Sequence, residues 1–134
     1  MPWTVEAEHI DAAEAKLGAT FPKSYRRHIG AANGGSLSLL DDEWHVLPIW
    51  DTSTTKRASR TSNDVVRETL RLRELHWFPE GGVAIALLNT DALVLLSAEG
   101  RIEDRCFVWY SGGDGLETIA DSCDALFTQG REAR

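Results

Sequence analysis

The chain has 134 residues, enough for one domain with a substantial core, and 43% hydrophobic content with five Trp excludes a disordered segment. Twenty-one acidic against fourteen basic residues leave a net charge of −7. That charge argues against phosphate-backbone binding as a main task and favours a basic partner, because like charges repel and opposite charges steer encounter.

In chain order, Thr4 is placed to cap a first helix running to about Leu17. Ile10, Ala13 and Leu17 recur at helical spacing, Glu14 lies on the same turn as Ile10, and Gly18 supplies a C-cap. Pro22 suits the first turn of a second helix, Lys23 to Ala32, because it has no amide proton to leave unpaired. Tyr25 and Ile29 form its apolar stripe until Asn33-Gly34-Gly35 breaks the pattern. Ser36 to Leu40 is strand-like, Asp41-Asp42-Glu43 marks a turn, and WHVLPIW predicts a second strand that Pro48 ends or holds at an edge.

Asp51 to Ser62, polar and rich in Ser and Thr, is expected to be a mobile loop. A third helix begins near Asn63 or Asp64; Val66, Leu70 and Trp77 share an apolar face, broadened by Val65, Leu72 and Leu75, and Pro79 stops it. VAIALL and ALVLLS, separated by Asn89-Thr90-Asp91, predict a hairpin. Glu99-Gly100 turns the chain again and DRCFVWYS supplies a further strand.

After Ser111 to Gly115, Asp114 and Glu117 form a capping-box-like start to a final helix. Leu116, Ile119, Ala120, Cys123, Leu126 and Phe127 are its expected apolar face, with a frayed tail from Gln129 to Arg134. The sum is a single α+β domain over residues 1–134, its ordered core at 4–128, with helices at both ends and a mostly antiparallel central sheet carrying an inserted helix.

The ordered string from Ile10 to Gly35, a helix ending in Leu-Gly, a Phe-Pro step, a Tyr-containing helix and an Asn-Gly-Gly turn, resembles the opening of the SUKH superfamily, the Smi/Knr-like domains. WHVLPI is similar to that family's hydrophobic segment before its central helix. The later strands and last helix match as patterns, but Asn89-Thr90-Asp91-Ala92 lacks the usual glycine, and Ser111-Gly112-Gly113 replaces a frequent acidic or His-containing ending. The resemblance implies a bacterial immunity-type protein that binds and neutralises a cognate toxin stoichiometrically, without catalytic residues or cofactor. Regulatory protein-interaction modules share the fold, and a small metabolite-binding domain is a third reading.

The residues themselves carry no motif for catalysis or metal binding. His9, His28, His45 and His76 are scattered, so metal-ligand spacing is absent, and no serine sits in a Gly-x-Ser-x-Gly elbow. The glycine loop at 112–115 lacks the P-loop lysine and the dinucleotide spacing, so helix capping is its expected role. Cys106 and Cys123 belong to no Cys-x-x-Cys pair and read as small buried hydrophobes in a reducing cytoplasm. There is no signal-peptide pattern and no membrane-spanning run at the sequence level. Residues 56–82 hold six basic against four acidic residues, a mildly basic island between acidic ends.

Two acidic features suggest a protein interface. Asp114, Glu117, Asp121 and Asp124 are spaced to share one helix face. Asp41, Asp42 and Glu43 precede Trp44, and Trp44 or Trp50 is the expected apolar anchor that an acidic rim would surround, Trp44 reading equally as a core residue. The expected partner is a toxin domain with a basic surface. Oligomeric state is left open.

Overall fold

The computed structural model describes residues 2–113 and 115–132, apart from the Glu132 side chain. Helix α1 (Ala7–Leu17) closes at Gly18, which adopts the left-handed conformation (φ 71°) and returns its N–H to the Glu14 carbonyl. The helix starts later than Thr4. Residues before it run extended beside the end of α2 (Lys23–Ala31), with Val5 N–H donating to the Gly30 carbonyl at 3.0 Å and Asn33 N–H to the Trp3 carbonyl at 2.8 Å. Tyr25 and Ile29 are fully buried, as the apolar stripe requires.

Strands β1 (Ser36–Leu39) and β2 (Asp42–Val46) pair antiparallel around the two-residue tip Leu40-Asp41. The segment 51–62 is not a structureless loop. It contains a short helix α3 (Thr55–Arg60), started by Thr54, whose Oγ1 accepts the Arg57 N–H at 3.0 Å. Helix α4 (Val65–Arg73) is capped the same way by Asp64. Its buried face is Val65, Val66, Glu68, Thr69 and Leu72. Leu70 and Trp77, expected on that face, are about half exposed. The helix ends at Arg73, so Trp77 falls outside its register.

Strands β3 (Gly82–Leu88) and β4 (Asp91–Ala98) form the expected hairpin at the sheet centre. Consecutive residues of both are buried, so both faces of the sheet are covered there. A two-residue β5 (Arg101–Ile102) pairs with the end of β4, and β6 (Cys106–Trp109) with its beginning.

The largest departure from the sequence reading follows. Leu116–Ala120 is strand β7, pairing with β6, and the final helix α5 begins only at Cys123 and runs to Glu132, through the segment expected to fray. Ser122 Oγ accepts the Ala125 N–H at 3.0 Å, which places the cap eight residues beyond Asp114. The antiparallel sheet runs β1-β2-β3-β4-β6-β7. Helix α5 crosses β1 at Gly130, where a methyl group would lie 2.9 Å from Leu37 Cβ. Cys106 and Cys123 are buried with their sulfurs 3.9 Å apart.

Candidate functional site

Strand alternation decides which part of the acidic hairpin faces outward. Leu37 pairs with Trp44 and Ser38 with Glu43, so the first pair points to one face and the second to the other. Helix α5 covers the Leu37 face. Trp44 is 2% exposed, with its indole N–H satisfied by the Leu39 carbonyl at 3.2 Å. Its expected role as an anchor is therefore corrected: it is a core residue. Glu43 is exposed and accepts a hydrogen bond from Ser38 Oγ.

Asp41 and Asp42 are also exposed, and with Leu40, Glu43 and Gln129 of α5 they border a depression of about 500 Å³. Leu40, not singled out from the sequence, is 54% exposed at the tip. Leu40 and Asp41 both hold positive φ, 54° and 63°, where Asn-Gly would be unstrained. The tip thus sets an exposed apolar side chain, in a backbone conformation that costs free energy, beside three carboxylates. Its sequence signal was a leucine placed in a turn.

The second acidic feature does not survive as one face. Glu117 lies on β7 opposite Val108, Asp121 is exposed between β7 and α5, and Asp124 is in the first turn of α5. Asp114 lies outside the described residues. Asp124 is also already engaged: its Oδ1 accepts from Arg27 Nη2 at 2.6 Å and lies 2.7 Å from His28 Nε2. These contacts, that of His28 foremost, hold its carboxyl below the usual range. It joins α5 to α2. With no helix after the 112–115 loop, the capping role expected for that loop also fails.

Trp50 stands at the other end of the segment that begins with β2. Its neighbours Ile49 and Asp51 are 1% and 2% exposed, whereas Trp50 is 42% exposed. Asn33 fixes this segment: its Nδ2 donates to the Ile49 carbonyl at 2.9 Å, and its Oδ1 accepts the Ile49 N–H at 2.7 Å. On the other side, Asp51 takes the Ser53 N–H at 2.9 Å and faces His9 Nε2 and Arg57 Nη1 at 3.5 and 3.4 Å. Burial raises the Asp51 pKa, but the hydrogen bonds from Ser53, the charge of His9 and the hydrogen bond from Arg57 outweigh it and hold the carboxyl below its ordinary value.

Among the described residues no group of three or more His, Cys, Asp or Glu is arranged to hold a metal ion, and no helix is long and apolar enough to cross a membrane. The architecture is thus a single α+β domain whose antiparallel sheet is flanked in sequence by N- and C-terminal helices, presenting an acidic hairpin and a separate tryptophan-bearing groove. The SMI1/KNR4 family (SUKH-1) model matches residues 4–129, nearly the whole chain, and the protein belongs to that family. The family includes immunity proteins. A search of curated proteins returns no match.

Proposed function

We propose that this protein is an immunity-type member of its family, acting in the cytoplasm to bind and neutralise a cognate toxin by stoichiometric contact, without catalysis or cofactor. The observation that carries the reading is the β1–β2 tip, where exposed Leu40 is flanked by Asp41, Asp42 and Glu43. An apolar anchor inside a charged rim is the composition of a protein interface, and on a chain of net charge −7 it selects a basic partner. If the toxin is a nuclease, its substrate groove is basic, and these carboxylates occupy it in place of phosphates. Glu117 and Asp121 add negative field from a separate surface, while Asp124 acts within the fold.

Co-expression tests this. A candidate toxin domain should arrest growth when expressed alone and be relieved by this protein, with a one-to-one complex surviving purification. Toxicity without relief would assign the protein to the regulatory interaction modules of the same fold.

A further inference from the structure

We infer that the groove over Trp50 is a second docking site, which takes an acidic linear segment of a partner protein. The inference is independent of the toxin reading, since it uses the opposite end of the β2 segment and the opposite charge.

Trp50 is a preorganised platform. Its flanking residues are buried, and its Nε1 donates to the Ala58 carbonyl of α3 at 3.2 Å, so little side-chain freedom remains to be lost on binding. Lys16 of α1 holds its ammonium 5.0 Å from the ring centroid. Two adjoining cavities, of about 130 and 570 Å³, share Trp50, Lys16, Asp64 and Val66 in their walls. The smaller is backed by Ala13, Ile49 and Val65, which suits an apolar side chain. The larger opens to solvent beside Arg67, a shape that fits an extended segment better than an enclosed small molecule.

Charge selects the occupant. Lys16 and Arg67 make no salt bridge among the described residues. Asp64, the one carboxylate lining the larger cavity among the described residues, is 9% exposed and accepts the Arg67 backbone N–H at 3.0 Å as the cap of α4. Locally, and against the chain's net charge of −7, a groove rimmed by Lys16 and Arg67 complements carboxylates, with an apolar residue between them seated against Trp50.

The test is an NMR titration of the ¹⁵N-labelled protein. The probe is an acetylated, amidated peptide of alternating Asp and Glu with one central Leu, and its all-Lys counterpart serves as control. The Trp50 indole resonance is assigned through Trp50→Phe. The acidic peptide should shift that resonance and the Lys16 and Arg67 amides, and the Lys-rich peptide should not. Binding should weaken about tenfold or more in Lys16→Glu/Arg67→Glu, as expected for losing two rim charges, with the remaining spectrum confirming the fold. A Trp50 resonance unmoved at millimolar peptide, or unimpaired binding by the charge-reversed variant, overturns the assignment. So does equal or tighter binding of an oligothymidylate, which would make the groove a general polyanion site. Shifts that follow protein concentration without peptide would make a second copy the occupant and overturn it as well.

Discussion

Replacing Asn33 by Ala removes the two hydrogen bonds that tie the end of α2 to Ile49. Ile49 is 1% exposed and Asn33 8%, so water does not readily replace the lost amide. Leaving a buried N–H and a buried carbonyl without partners costs about 1–3 kcal/mol each, so the variant should lose about 2–6 kcal/mol. That is a large share of the roughly 5–15 kcal/mol typical of a domain. At about 4 °C per kcal/mol for a chain of this size, Tm should fall by about 8–24 °C. Asn33→Asp should be worse than its near-isosteric shape suggests, because it sets an acceptor against the Ile49 carbonyl. Urea unfolding followed by tryptophan fluorescence, with the m-value checked for constancy, measures the loss. A cost below about 1 kcal/mol would refute the reasoning and mean that the Ile49 groups find other partners.

Tyr25 is fully buried and its hydroxyl has no hydrogen-bond partner among the described residues, while burial, with Cys123 adding to it, raises its pKa. Tyr25→Phe should therefore leave stability unchanged or raise it by about 1 kcal/mol, and a loss larger than that in urea would reveal a hidden partner. Two glycine-to-alanine changes should have opposite signs in thermal unfolding. Gly30→Ala in α2, whose new methyl meets only ordinary contacts at 3.8 Å, should stabilise by roughly 0.5 kcal/mol through helix propensity. Gly130→Ala in α5 should destabilise by about 1–3 kcal/mol through overpacking against Leu37. Because the Asp51 carboxyl sits below its unfolded value near 3.9, its stabilisation is present above that pH and lost as pH falls through the folded value. Asp51→Asn should cost about 2 kcal/mol at neutral pH and flatten the acid limb of a stability–pH curve, and an unchanged limb would remove Asp51 from the acid response.

The fold was legible wherever a local rule had one answer. Gly18 could only be a left-handed stop, Tyr25 and Ile29 could only be one stripe, and the runs on either side of Asn89-Thr90-Asp91 could only pair. The C-terminal region misled because a strand followed by a helix in the right phase imitates one longer helix. Leu116, Ile119 and Ala120 continue the spacing of Cys123, Leu126 and Phe127, yet Thr118 and Ile119 are β-branched and Ser122 is the true cap. Those two signals were available. The pairing of Leu116 with Trp109, only seven residues earlier, was not, since a glycine-rich break reads equally as the approach to a helix or as the turn between paired strands.

The candidate site was read in composition but not in arrangement. Asp41, Asp42 and Glu43 stand exposed at a hairpin as a charged turn should, but the parity of β2 that sends Trp44 inward depends on its pairing register with β1. The role of Asn33 was hidden for a related reason: an Asn-Gly-Gly string announces a turn, not a side chain completing a distant backbone.

The central claim is that the acidic tip binds a toxic partner, and complementation by a tip variant tests it most directly. Cells expressing the candidate toxin domain receive either the wild-type protein or Asp41→Lys/Asp42→Lys, two exposed changes whose fold and abundance are checked by thermal unfolding and immunoblot. Growth restored by the wild type and lost with the variant is the expected result. Equal rescue by both proteins would contradict the account and move the interface away from the hairpin.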